Sequence, residues 1–279
     1  MSTLSATPGT VPPAGTTPAP QRTWPKVPAL IALFWVVKIL TTGMGESASD
    51  YLAQWGVYVP GVLGALGLTA ALVWQFRTPG YRALPYWTTV AMVAVFGTVA
   101  ADGMRQLLGL SLPLLTTAYA AALAAVLLTW RQVEGTLSVH SITTARREGF
   151  YWLTVLLSFA LGTAAGDLTA FDLGWGFAGS IAVFAAAILI PWALHRAGLL
   201  GEVAAFWSAY ILTRPLGATV ADYLGKPFGA GLGDGTVTLT ALGLIAVLVG
   251  YLAVRRPDVQ PAVPAQQSPG PRTSLHQAA

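Results

Sequence analysis

The sequence predicts an all-α, polytopic membrane protein with eight transmembrane helices, arranged as four tandem helix pairs that share one orientation. Three observations predict this fold: an apolar composition, eight long apolar runs and a motif repeated four times. Hydrophobic residues fill 54% of the 279 positions, charged residues fill 9%, and the mean hydropathy is +0.62. A water-soluble domain carries roughly a quarter charged residues. Most of the surface of this chain must therefore face lipid.

Two polar, proline-rich segments flank the apolar part of the chain. Residues 1–25 contain six prolines and lack an apolar run long enough for the core of a secretion signal. Residues 257–279 have the same Pro, Gln and Ser character. Segments of this composition do not bury enough apolar surface to fold. We expect two disordered tails, which leave residues 26–256 as the membrane domain.

Eight apolar runs lie between the tails. Each is close to the roughly 20 residues that a helix needs to cross about 30 Å of hydrocarbon. Backbone groups must be paired inside lipid, and the alternating strands of a membrane barrel are absent, so we expect helices. The expected spans are 27–52, 57–76, 83–108, 110–130, 149–170, 176–194, 203–224 and 232–254.

The basic residues predict the orientation of these helices. Of the 15 lysines and arginines, 11 lie at the chain ends or in the connections that follow even-numbered helices. Basic residues accumulate on the cytoplasmic side of membrane proteins, so we expect both termini in the cytoplasm. The 11 residues are Arg22, Lys26, Arg77, Arg82, Arg131, Arg146, Arg147, Arg196, Arg255, Arg256 and Arg272.

A motif repeated four times divides the membrane domain into equal units. The pattern is aromatic-Trp-x9-Gly-x4-Asp, in a chain that contains seven aspartates altogether. We number motif positions from the tryptophan, so the glycine is at position 10 and the aspartate at position 15. The expected repeats are 26–77, 81–131, 146–196 and 202–256, each pairing a motif helix with an apolar helix. The motif tryptophans are Trp35, Trp87, Trp152 and Trp207.

One face of each motif helix carries small residues. Positions 10 and 14 are Gly, Ala or Ser in every repeat. Small residues four apart let helix backbones approach closely in lipid. We therefore expect the motif helices to pack on one another through the glycines Gly45, Gly97, Gly162 and Gly217.

The adjacent face, at positions 3, 7, 11 and 15, carries the charges and is called the polar ridge below. Charged groups within spanning helices normally face the bundle interior. Carboxylates gathered there must take up protons, pair with bases or hold a cation. Glu46 and Asp50, one helical turn apart, are the candidate metal ligands. The candidate ion-binding and transport residues are Lys38, Glu46, Asp50, Asp102, Asp167, Arg214 and Asp222.

Structural roles are the alternative for these residues. An aspartate near a helix end can accept hydrogen bonds from backbone amides, and four copies could be inherited architecture. Arg214 could neutralise Asp222 without any further role.

Other chemistry is excluded or unsupported by the sequence. With no cysteine, the chain has no disulfides, thiolate metal sites or cysteine nucleophile. The three histidines are scattered, and no zinc-protease, Walker, dinucleotide or nucleophile-elbow motif occurs. The net charge of +4 is not concentrated in a patch that would bind nucleic acid. We therefore expect neither an enzyme nor a cofactor. The connection 131–148 is expected to be a solvated loop.

The four motif units, with FWVVKILTTGMGESASDYL first and FWSAYILTRPLGATVADYL last, resemble an uncharacterised family of bacterial membrane proteins built from four repeats of unknown function. The resemblance spans the chain between its tails and implies an eight-helix protein of the bacterial inner membrane. It implies no activity.

The function expected from the residues is a secondary transporter or channel for a small cation. Because only oxygen ligands are available, a hard divalent ion such as Mn²⁺ or Mg²⁺, or an alkali ion exchanged for protons, fits best. The lipid bilayer and this cation are the expected partners. The alternative is a non-transporting membrane scaffold or lipid-binding module, in which the charges form structural ion pairs.

Overall fold

A computed structural model describes residues 22–56 and 58–264, which form eight α-helices and one short pair of strands. The predicted tails over 1–21 and 265–279, with Arg272, lie outside the described residues. Strand β1 (Arg22–Thr23) pairs antiparallel with β2 (Val263–Pro264). A π-helical turn, Leu168–Asp172, extends the fifth helix. The helices are α1 (Ala32–Ala53), α2 (Tyr58–Arg77), α3 (Ala83–Leu108), α4 (Leu112–Glu134), α5 (Ala145–Asp167), α6 (Gly176–Arg196), α7 (Glu202–Gly225) and α8 (Asp234–Arg255).

Six of the eight helices are long and apolar enough to cross a membrane, namely all except α1 and α7. This content suggests a multi-pass membrane protein. α1 and α7 are the helices with most of the ridge charge, which reduces their apolarity. Each predicted span overlaps one helix, with bounds that differ by up to five residues; the largest difference is in α1, which begins at Ala32 rather than 27. The preceding residues are not helical because the amides of Lys26 and Ala29 bond instead to the carbonyls of Ile142 and Asp258, both at 2.8 Å.

The four motif helices form a closed ring. α1 packs on α3, α3 on α5, α5 on α7, and α7 returns to α1. The other four helices lie outside this ring, and each packs mainly on the motif helix of the next repeat. α2 thus lies on α3, α4 on α5, α6 on α7, and α8 on α1. The repeats are therefore interlocked, and the last repeat covers the first.

The motif glycines lie at the contacts between neighbouring ring helices. A Cβ atom added to any of the four would come within 3.0 Å of the position-7 residue of the next motif helix. The absence of a side chain therefore permits the close helix approach that membrane bundles use. Gly45 faces Ala94, Gly97 faces Phe159, Gly162 faces Arg214, and Gly217 faces Thr42.

Aromatic residues close one end of the ring, where the motif helices begin. The ring centroid of Phe34 lies 5.7 Å from that of Trp87 and 6.4 Å from that of Phe206. Tyr86 and Tyr151 stack with centroids 6.4 Å apart, and their hydroxyls share a hydrogen bond. All four repeats thus contribute to one buried layer, called the aromatic end below.

The connection 131–148 packs across the aromatic end, so its interpretation as a solvated loop is wrong. Ile142 is fully buried, and the indole of Trp207 donates a hydrogen bond to the carbonyl of Leu137 at 3.0 Å. Glu134 accepts hydrogen bonds from Arg146 and from Arg147. The ion pairs of Glu134 and the buried side chain of Ile142 hold the segment against the helices.

The ends of the chain are also ordered beyond the predicted membrane domain. Residues 22–25 and 257–264, which were expected to belong to the tails, contact the helix bundle and each other. The buried carboxylate of Asp258 accepts a hydrogen bond from the hydroxyl of Tyr81. Burial raises the pKa of Asp258, and the bond from Tyr81 partly opposes that rise. The tail boundaries at 25 and 257 therefore need correction within the described residues.

A buried ion pair joins the N-terminal segment to α2 and α5. Lys26 Nζ lies 2.9 Å from one carboxylate oxygen of Glu148, and the other oxygen accepts a hydrogen bond from Gln75 Nε2 at 2.8 Å. Lys26 also donates to the carbonyl of Phe76 at 3.1 Å. The end of α2 and the start of α5 therefore lie on the same side of the molecule as the N-terminal segment.

Candidate functional site

The polar ridge lines the inside of the ring. Every side chain at positions 3, 7, 11 and 15 of the four repeats is buried or half-buried. Charged groups in a membrane bundle are expected in this location. The ridge thus forms a buried column, with Lys38 near the aromatic end and the four motif aspartates at the opposite end.

Lys38, nearest the aromatic end, is held by groups without negative charge. Its Nζ donates a hydrogen bond to the carbonyl of Tyr210 at 2.9 Å and contacts the hydroxyl of Thr213. It also lies 3.9 Å from the centre of the Tyr210 ring, where the electron-rich face attracts a cation.

Arg214 forms the next layer and also lacks a carboxylate partner among the described residues. Its Nη1 donates to the hydroxyl of Thr42 and its Nη2 to the hydroxyl of Tyr210, both at 2.9 Å. The guanidinium carbon lies 3.1 Å from the centre of the Phe159 ring. The structure therefore does not pair Arg214 with Asp222. Lys38 and Arg214 together are called the basic layer below.

Glu46 occupies the position-11 layer, where three repeats meet. Its Oε2 accepts hydrogen bonds from the hydroxyls of Thr98 at 3.0 Å and Thr163 at 2.8 Å. These two hydroxyl oxygens are 3.2 Å apart. α1, α3 and α5 therefore converge on one buried carboxylate, which is only 5% exposed.

Three carboxylates gather at the contact that closes the ring. Glu46 and Asp50 from α1 and Asp222 from α7 each offer an oxygen, and these oxygens lie within 4.8 Å of one another. Asp222 is 6% exposed, and its carboxylate has no hydrogen bond or ion pair among the described residues. Hard cations bind several carboxylate oxygens at such close range. These three residues are called the acidic triad below.

Lys226 partly neutralises the outer edge of the triad. It directly follows α7, and its Nζ contacts the carboxylate of Asp50 and lies 3.8 Å from that of Asp234. Burial is the largest single influence and lowers the pKa of Lys226, but the combined attraction of Asp50, Asp222 and Asp234 outweighs it, so the pKa is raised. The ammonium stays charged, so the triad has one fixed positive neighbour.

The other two motif aspartates are separate from the triad. Asp167 forms an ion pair with Arg105 at 3.1 Å. Asp102 has no side-chain partner among the described residues and lines a cavity of about 500 Å³ between α1, α2 and α3, together with Asp50. The structure therefore brings together Glu46, Asp50 and Asp222, while Asp102 and Asp167 occupy different surroundings.

Four segments of the chain match the family model described as Repeat of Unknown Function (DUF347). They are residues 33–81, 85–136, 150–197 and 205–257, and each begins two residues before its motif tryptophan. The chain belongs to this repeat family. The resemblance drawn from the four motifs is thus confirmed. Membership of the DUF347 family does not indicate an activity. No curated protein and no solved structure matches the chain.

The end of the ring that carries the motif aspartates, called the acidic end below, includes two basic residues that the sequence did not identify as site residues. Arg105 and Lys226 were not among the candidate residues, and both contact motif aspartates. Arg105 follows Asp102 by three residues and Lys226 follows Asp222 by four, spacings that put them one turn from the ridge. Each pairs with an aspartate of another repeat. These pairs can be recognised only once the packing of the ring helices is known.

Proposed function

We propose that this protein is a membrane transporter or channel for a small cation, which binds at the acidic triad. The observation that carries the proposal is the convergence of three carboxylates, one of them buried and unpaired, within a bundle of apolar helices. Intramembrane carboxylates of this kind normally mark ion or proton pathways. Transport, rather than static binding, would explain why the site lies inside a ring of membrane helices.

The proposal includes eight spans, parallel motif helices and cytoplasmic termini in a bacterial inner membrane. Parallel motif helices are supported by their starts, which meet at the aromatic end, and by the triad residues, which meet towards the helix ends. The contacts of Lys26 with Glu148 and with the end of α2 support one shared side for the basic connections. Basic residues favour the cytoplasmic side.

The donor set favours a hard cation. The triad and its neighbours Thr98 and Thr163 offer oxygen atoms alone, which suit Mn²⁺, Mg²⁺ or an alkali ion better than softer metals. Protons would compete for the same oxygens, so cation binding would release them.

The basic layer supports a gated pathway rather than an open pore. Between the triad and the aromatic end, Arg214 of α7 contacts Phe159 of α5 and Thr42 of α1. A cation that enters at the acidic end meets this positive charge at the next layer. Passage would require Arg214 to move away from the axis, which makes the residue a candidate gate.

Flux into proteoliposomes tests this function. Wild-type protein should transport at least one cation from a panel of Mn²⁺, Mg²⁺, Na⁺ and K⁺, measured with ion-sensitive dyes inside and a pH dye outside. Asp50→Asn should abolish that flux, and Arg214→Gln should change its rate. Absence of flux for every cation and for protons, with well-folded protein, would contradict the proposal.

The second candidate is a non-transporting scaffold or lipid-binding module. The closed packing of the basic layer favours it, because Arg214 forms its hydrogen bonds to Thr42 and Tyr210 entirely within the ring helices. In that case, the double variant Asp50→Asn with Glu46→Gln lowers the yield of folded protein, and neither it nor the wild type transports a cation.

A further inference from the structure

The cavity of about 500 Å³ beside Asp102 adjoins the acidic triad through Asp50 and extends away from Glu46 and Asp222. Its walls come from the outer halves of α1 and α3 and the start of α2. They are mostly apolar and include Val99, Met104 and Leu107, while Asp50 and Asp102 contribute carboxylates. Pockets for small organic molecules have this size, with apolar walls and a few polar groups that orient the ligand.

Asp102 is the carboxylate in this cavity that is available to a ligand. Asp50 already contacts Lys226, whereas Asp102 has neither an ion pair nor a side-chain hydrogen bond within the described part of the chain. Asp102 is half-buried among mostly apolar walls, and a carboxylate in such surroundings is stabilised by a positive partner. The nearby Arg105 does not fill that role, because it pairs with Asp167.

The shape and chemistry of the cavity distinguish its ligand from the cation of the triad. A bare metal ion needs several oxygen ligands and gains nothing from apolar walls. An organic amine needs one carboxylate for its ammonium group and an apolar surface for its hydrocarbon body. The cavity offers both.

We propose that this cavity binds a small organic amine, with the ammonium group on Asp102 and the hydrocarbon body against the walls formed by α1, α2 and α3. The proposal does not rest on cation binding at the triad, but Asp50 borders both sites. Occupancy of one site should therefore influence the other through Asp50.

Binding of 2-phenylethylamine, with 2-phenylethanol as its uncharged counterpart, tests the role of the carboxylate. Equilibrium dialysis would use the full-length protein in nanodiscs of phosphatidylcholine. Wild-type protein should bind the amine at least about tenfold more tightly than the alcohol, and Asp102→Asn should remove that difference. Equal affinity for both probes, or an unchanged preference in Asp102→Asn, would overturn the proposal.

A steric variant keeps the test valid if Asp102→Asn folds poorly. Gly103 lines the cavity, and a Cβ atom added there meets no heavy atom within 4 Å. Gly103→Leu should therefore fold normally, fill the cavity and abolish amine binding. Gly250, in α8, has equally open space and does not line the cavity. Gly250→Leu is the matched control and should bind the amine like the wild type; equal binding by Gly103→Leu and Gly250→Leu would refute the site.

Two further variants of the binding experiment distinguish this cavity from the acidic triad and from a lipid site. Glu46→Gln removes a triad carboxylate outside the cavity, so it should stop cation flux while leaving amine affinity within about twofold. If it abolishes amine binding, the amine occupies the triad instead, and the proposal is wrong. Phosphatidylethanolamine also carries an ammonium group; if adding it to the nanodiscs displaces the probe, the ligand is a lipid headgroup and not a free amine.

Discussion

Replacement of Gly217 by alanine tests the contact that closes the ring between the last repeat and the first. The added Cβ would lie 2.6 Å from Cγ2 and 2.8 Å from Cβ of Thr42, whereas ordinary contact begins at 3.4 Å. Thr42 cannot turn away without loss, because its hydroxyl accepts from Arg214 and donates to the carbonyl of Lys38, both at 2.9 Å. α1 and α7 must therefore separate by about 0.8 Å, the difference between 2.6 and 3.4 Å.

Overpacking of this kind typically costs about 1–3 kcal/mol, so we expect Gly217→Ala to lower the free energy of unfolding by that amount. The control is Gly103→Ala, where the new Cβ has open space. It should be neutral or stabilising by up to about 1 kcal/mol, because alanine favours helix. Denaturant unfolding in mild detergent, followed by the fluorescence of the ten tryptophans, measures both. Equal stability of the two variants would refute the closed ring.

Three further predictions concern the ordered chain ends and the triad. Lys26→Met should destabilise the protein by about 3–5 kcal/mol, because it leaves Glu148 charged and buried. The double variant Lys26→Met with Glu148→Leu should recover most of this stability. Failure of the double variant to recover stability would contradict the ion pair. Because the folded-state pKa of Asp258 is raised, its contribution to stability is present below the unfolded pKa of about 4 and is lost as pH rises through the folded pKa. Asp258→Asn should therefore flatten the fall in stability over that window, measured by thermal unfolding at a series of pH values; an unchanged profile would contradict the burial of this carboxylate. In the triad, Asp222→Asn should raise the melting temperature in cation-free buffer, because it removes an unpaired buried charge, and a lower melting temperature would show that Asp222 has a partner.

The periodicity of the sequence predicts the ridge and the packing face because both depend on geometry within one helix. Positions 10 and 14 stay small, and positions 3, 7, 11 and 15 stay polar or buried, in each unit. The bounds of α3 match the predicted span, with Arg82 directly before the helix and Gly109, in the left-handed conformation, directly after it.

The partners of each helix depend on contacts far apart in sequence, which periodicity does not contain. Adjacent helices of one repeat were expected to form a pair, yet each outer helix packs mainly on the following repeat. For the same reason, periodicity does not predict the ion pairs of Arg105 and Lys226, because their aspartate partners belong to other repeats.

The ordered chain ends could not be predicted, because amino-acid composition does not show which specific contacts a segment makes. The segment after 257 is as rich in proline and glutamine as a disordered tail. However, Asp258 and Gln260 bond to groups that only the folded bundle positions, such as the hydroxyl of Tyr81 and the carbonyls of Val27 and Pro28. Buried polar groups are nearly always hydrogen-bonded in folded proteins, and these bonds place the segment against the bundle.

Proton release on cation binding tests the acidic triad most directly. Each cation of the panel would be added to weakly buffered, detergent-solubilised protein while the pH is followed. Wild-type protein should release protons in a saturable manner for at least one cation, and both Glu46→Gln and Asp222→Asn should release fewer or none. No saturable release for any cation, or release unchanged in both variants, would contradict a cation site at these three carboxylates.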